Sequence, residues 1–164
     1  EGTYYIGTTR FNKATWEQNE SWKQKHNFTG CIYGMGTLPQ KRIPANVNMF
    51  VIEMNNSKNQ IEGIGLIKNH LCLNKKHNIH EEKNYNRFTY KSKYRITREE
   101  IIDQDERLIE ILEMFLFHGP THLKRGQGIQ EVPTWLSLNK KLNIIPDINK
   151  IFVNKYGERP ISIF

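Results

Sequence analysis

The run His118-Gly119-Pro120-Thr121-His122-Leu123-Lys124-Arg125-Gly126-Gln127-Gly128-Ile129 packs two imidazoles, two cations and an amide between glycines. Three glycines and a proline in so short a run exclude regular structure, and the intervening side chains are those that hydrogen-bond phosphate or the edge of a base. The chemistry expected is that of a loop wrapped around an anion. His118, His122, Lys124 and Glu131 also have the types of a general acid/base set for phosphodiester cleavage, because imidazole titrates near neutrality and a cation steadies developing charge. No second carboxylate or nucleophile motif accompanies them, and the phosphate-cradling patterns Gly-x-x-x-x-Gly-Lys-Ser/Thr and Gly-x-Gly-x-x-Gly are both absent. In the purely structural alternative, His118 caps a helix C-terminus while Lys124 and Arg125 stand in solvent. No residue is assigned a catalytic role.

A second segment, Asn84-Tyr85-Asn86-Arg87-Phe88-Thr89-Tyr90-Lys91-Ser92-Lys93-Tyr94-Arg95, interleaves aromatics with cations. Cations meet phosphates and exposed aromatic rings stack bases, so this is the composition of a single-strand platform. Strand alternation would place Phe88, Tyr90 and Tyr94 on one face and Arg87, Lys91, Lys93 and Arg95 on the other. The alternative makes the aromatics core and the cations a solvated face. A third group, His70, Cys72, His77 and His80, has zinc-ligand types but the spacing of no common module, and Lys75 and Lys76 between them would repel a cation. We expect no metal there and no cofactor elsewhere.

The elements that position these segments follow from periodicity and caps. Thr3 to Thr8 reads as a strand, and Thr15 with Gln18 reads as a capping box opening a short helix through Lys25. Trp16 and Trp22 on that helix are about 120° apart at ~100° per residue, too far for one core-facing stripe, so one indole is expected in the core and the other beside a groove. Phe28 to Met35 and Val47 to Met54 read as strands, the latter joined by the turn residues Asn55 to Gln60 to a partner at Ile61 to Ile67. Asn84 to Ile96 is another strand or strand pair. Thr97 with Glu100 caps a helix whose apolar residues from Ile101 to Leu116 keep a 3.6 period until Gly119-Pro120, and a short helix is expected from Asp147 to Asn154. The result is one α+β domain over 1–164, a small bent or closed sheet with two main helices.

The formal net charge of +7 and a pI near 9.4 favour an acidic partner, nucleic acid before an anionic surface. No apolar run approaches the ~20 residues of a membrane span and no signal-peptide pattern opens the chain, so no membrane partner is expected. Cys31 and Cys72 are too few for a disulfide framework, and both sit in apolar runs suited to reduced thiols, which points to an intracellular setting. Abundant Asn, Ile and Lys share AT-rich codons, an association with a large DNA virus or a protist. The opening Glu1-Gly2, without Met, reads as part of a longer chain or a cleaved product.

The Tyr-rich first strand, the Trp-bearing helix, the Ile32-Tyr33-Gly34 strand end and the hairpin closing on Ile61 to Ile67 resemble the EVE branch of the PUA-like fold over about the first seventy residues. Where that family has Gly-Asp before its third strand, this chain has Ala45-Asn46. The resemblance implies a β-barrel that binds RNA or a modified base in an aromatic-lined pocket, with Trp16 and Trp22 beside it. Tyr85 to Ile96 and Leu116 to Ile129 also resemble stretches of uncharacterised proteins of large DNA viruses. The expectation is a non-catalytic nucleic-acid binder, for DNA or RNA: Lys91, Lys93, Lys124 and Arg125 contact phosphates, Trp16 or Trp22 stacks a base, Asn86 and Gln127 read its edge, and Arg87 and His122 belong to the same binding set. Two other readings stand beside it, a small nuclease or nucleobase hydrolase using His118, His122 and Lys124, and a viral protein-interaction module.

Overall fold

A computed structural model describes residues 4–39, 43–71, 77–139 and 141–158. The chain runs β1 (Tyr4–Phe11), α1 (Lys13–Lys25), β2 (Cys31–Met35), β3 (Asn48–Asn55), β4 (Gln60–Lys68), a 3-10 turn (Lys83–Asn86), β5 (Phe88–Ser92), β6 (Arg95–Thr97), α2 (Arg98–Phe117), β7 (Gln130–Glu131), α3 (Thr134–Ser137) and α4 (Ile144–Tyr156). A mixed sheet has the order β6-β4-β3-β1-β7, with β1 and β3 parallel and the other pairs antiparallel. A separate two-stranded sheet pairs β2 with β5.

The run Met49-Phe50-Val51-Ile52 is apolar throughout because both faces of the central strand β3 are covered. Phe50 and Ile52 face Leu112, Leu116, Ile148 and Phe152 of α2 and α4, while Met49 and Val51 face Tyr33, Met35 and Tyr90 of the small sheet. The two sheets approach closely at Gly65 of β4, where an added Cβ would lie 2.3 Å from Tyr33 Oη and 2.6 Å from Cys31 Sγ. Only Lys93 and Tyr94 separate β5 from β6, and the Leu66 amide donates to the Tyr94 carbonyl at 3.0 Å, so this stretch carries the chain from one sheet into the other.

The α+β class is as expected, and three details are corrected. The sheet is not closed into a barrel: β7 offers a two-residue edge and β2 pairs only with β5 among the described strands. Four α-helices, not two main ones, are present among the described residues. The last reaches back to Ile144 because Ile144, Ile148, Ile151 and Phe152 make one apolar stripe, and Pro146 falls in the first turn, where its missing N–H leaves no bond unmade. Finally, α1 begins at Asn12 and not Thr15. Asn12 Oδ1 accepts from the Thr15 amide at 2.9 Å and Thr15 Oγ1 accepts from the Asn12 amide at 3.0 Å. Asn12→Ala removes the Oδ1 acceptor and leaves the backbone bond to Thr15 Oγ1; it should cost about 1 kcal/mol, read as a lower urea midpoint at unchanged slope. The Thr97 and Glu100 box opens α2 as the spacing predicts.

Inside the space between the sheets lies a buried polar group. Glu53 and Arg95, 2 % and 7 % exposed, are bonded at 2.6 Å, and Tyr33 Oη donates to Glu53 at 2.7 Å. Burial alone would raise Glu53, but the adjacent Arg95 guanidinium and the bonds from Arg95 and Tyr33 outweigh it and hold the carboxyl below its ordinary value.

Candidate functional site

The described residues leave a cleft of about 260 Å³ between the ends of β1 and β2. Thr9, Arg10 and Phe11 of β1 and Asn12 and Thr15 at the start of α1 form one side; Gly34, Met35, Gly36 and Thr37 from the end of β2 form another. Asn56 of the β3–β4 turn, His80, Asn84 and Tyr85 near the 3-10 turn, and Lys124, Gly126, Gln127 and Gly128 complete it. Arg10 and Lys124 are cations, and no Asp or Glu belongs to the lining among the described residues.

The glycines of the loop exist for this shape. Gly126 and Gly128 take φ of +119° and +67°, a region that other L-residues adopt only under strain. A Cβ on Gly128 would stand 2.6 Å from Thr37 Oγ1, against the opposite wall. The loop is tied down from β1 and the β3–β4 turn. Arg10 Nε donates to the Leu123 carbonyl at 2.7 Å, and Asn56 Nδ2 donates to the Lys124 carbonyl at 2.8 Å. Arg10 Nη2 donates to Thr8 Oγ1 at 2.8 Å and to Gln130 Oε1 at 3.4 Å, while Nη1 reaches the Gly128 carbonyl only at 3.5 Å. Every one of these acceptors is neutral. Burial pulls Arg10 down to about 10, which still leaves it charged at neutral pH. Burial likewise pulls His80 below the ordinary imidazole value, so this ring is neutral near pH 7, with Nδ1 2.9 Å from Gln18 Oε1.

Of the residues singled out from the sequence, Lys124 and Gln127 lie in this cleft. Arg125 is exposed outside the lining, and the half-buried His122 uses Nδ1 to accept from the Lys124 amide at 3.2 Å, which shapes the loop. His118 is exposed and Glu131 pairs with Gly7 in the sheet, so Lys124 is the one member of that acid/base group in the cleft lining. Asn86 is a strut: its Oδ1 accepts from the Ile79 and His80 amides and its Nδ2 donates to the His80 carbonyl, which spends the amide internally.

The expected cationic face does not form, because β5 and β6 belong to different sheets and alternation does not run through Lys93-Tyr94. Arg95 turns inward to Glu53; Lys91 Nζ lies 4.8 Å from the Phe28 ring centroid and covers apolar surface; Arg87 and Lys93 alone are exposed. Trp16 and Trp22 line no part of the cleft. Instead α1 spans two apolar clusters, with half-buried Trp16 packed edge-on to Phe11 and Trp22, 8 % exposed, packed with Ile32, Ile79 and Phe28. That division is how one polar helix buries indoles 120° apart. Trp22 also borders a shallow groove with Gln18, His26 and Glu81.

Cys72 lies outside the described residues; of its proposed partners His70 is exposed, while His77 and His80 are buried on either side of Ile79. No group of three His, Cys, Asp or Glu side chains positioned to hold a metal occurs among the described residues. No helix there is long and apolar enough to cross a membrane.

Sequence reasoning missed Arg10 and Asn56. The sequence pattern ends the first strand at Thr8, two residues short of Arg10, and gives Asn56 the look of ordinary turn chemistry. No local signal marks either, because their partners lie in the 118–129 loop, far along the chain. No protein-family model, curated protein or solved structure matches this chain.

Proposed function

We propose that the chain binds nucleic acid without catalysis, through the cleft and the Lys124 to Gly128 loop. The observation that supports this best is the lining: two cations, several amides and hydroxyls, and no carboxylate, in a chain of net charge +7. Such a wall attracts a polyanion and has no acid to repel it. Tyr85, 45 % exposed at the rim, offers the aromatic surface on which a base, ordinary or modified, would rest. On the residue pattern of the first seventy positions we propose a PUA-like, EVE-type relationship as the finer fold, with the sheet open here where that family closes a barrel.

Titration of labelled oligonucleotides across salt concentrations tests the reading. Affinity should fall steeply with salt as neutralised phosphates release counterions, and Lys124→Ala should reduce the slope by about one unit. The labelled strand should be recovered uncut. Absence of binding at low salt would overturn the proposal.

A further inference from the structure

Arg10 is a cation built into a wall with no anionic partner among the described residues. Its guanidinium has five N–H donors. Nε is spent on Leu123 and both Nη2 protons are spent on Thr8 and Gln130, while Nη1 makes one bond at 3.5 Å and has a further proton with no acceptor among the described residues. Arg10 itself lines the cleft, and so does Gly128, whose carbonyl is the one acceptor of Nη1 among the described residues. Lys124 lines the same space, and α1, capped by Asn12, starts there with its positive end.

Size narrows the ligand. A cleft of 260 Å³ is below the ~300 Å³ lower bound typical of sites that enclose a drug-sized molecule, so it takes a terminal group and part of a nucleotide and encloses no length of strand. A phosphate with several unshared oxygens makes fuller use of a guanidinium than an internal diester, because charge-assisted, fork-shaped pairing needs two free oxygens on one side.

Resting on the nucleic-acid reading above, we infer that the cleft is a seat for a phosphate monoester, the phosphorylated end of a strand or a free nucleotide, with the phosphate held by Arg10 and Lys124 and the base toward Tyr85.

The test compares one short oligonucleotide in 5′-phosphate, 3′-phosphate and hydroxyl-ended forms, together with 5′-AMP against adenosine by thermal shift. At least one phosphorylated end should bind at least about tenfold more tightly than the hydroxyl-ended strand, and AMP should raise Tm where adenosine does not. Arg10 also ties the loop to β1, so Arg10→Met alone is ambiguous. Thr37→Glu provides the second variant: Thr37 is exposed, lines the cleft and faces Gly128, and a carboxylate there should erase the preference for a phosphorylated end while leaving Tm unchanged. Equal binding of all three strands overturns the monoester seat and leaves nucleic-acid binding standing. Failure of every strand to bind overturns the underlying reading, and the seat as the end of a strand with it. A phosphate preference that survives Thr37→Glu places the contact outside this cleft and overturns the assignment to Arg10.

Discussion

Arg95→Met should lower stability by about 3–5 kcal/mol, the range for removing one partner of a buried ion pair. The loss comes less from the missing attraction than from what remains: Glu53, 2 % exposed, with the Tyr33 hydroxyl its one remaining donor among the described residues. The native pair is satisfied on nearly every side, since Arg95 bonds both Glu53 oxygens and reaches the Glu62 carbonyl. Replacing both partners by apolar side chains, Glu53→Leu with Arg95→Met, should recover much of the loss, because no isolated charge is left behind. Urea unfolding of the parent, the single variant and the double variant measures the difference. A single variant as stable as the parent would show that water already reaches the pair.

The same pair sets an acid limit. Glu53 is held below its ordinary value in the folded chain, so its contribution is fully present above the unfolded glutamate value of about 4.3 and is lost as pH falls through the folded one. Stability of the parent should therefore drop below about pH 4.3. Arg95→Met reverses the sign at this residue: with the guanidinium gone, desolvation governs, the carboxyl is raised, and protonation then favours the folded state. The two stability curves should converge as the solution is acidified.

Legibility in the sequence tracked the range of the interactions involved. The β3–β4 hairpin and the Thr97 and Glu100 cap are decided within a few residues, and both lie where the pattern puts them. The transfer from β5 to β6 is decided by partners more than twenty residues away: Leu66 captures the Tyr94 carbonyl and Glu53 captures Arg95. No glycine or proline marks the break between the strands, so the segment reads as one alternating face. The candidate site divides in the same way. Lys124 and Gln127 stand in a loop whose glycines advertise it, whereas Arg10 and Asn56 acquire their positions only when that loop folds over them. Trp16 and Trp22 lie outside the cleft for a related reason, since α1 rests on two apolar clusters and each indole packs on its own, with Trp22 also bordering a groove.

That second core supports the other large expected effect. Trp22→Ala should cost about 3–5 kcal/mol, as for other buried aromatic truncations, because little can collapse into the space. The indole packs on Ile32 and Ile79, stacks on the His26 ring at 4.1 Å, takes Phe28 and His77 edge-on at 5.9 and 5.4 Å, and lies under Lys91 at 5.8 Å. Trp16 is half-buried, with Phe11 at 5.1 Å and the Arg95 guanidinium at 5.9 Å, so Trp16→Ala should cost about 1–2 kcal/mol on the area it covers. Neither variant should change oligonucleotide affinity while it remains folded, because neither indole lines the cleft. Melting curves and titrations on each single variant check both statements together. A Trp16→Ala protein that melts like the parent yet binds several-fold more weakly would place the bound strand across α1, and the cleft beside Arg10 and Lys124 would no longer be where nucleic acid enters.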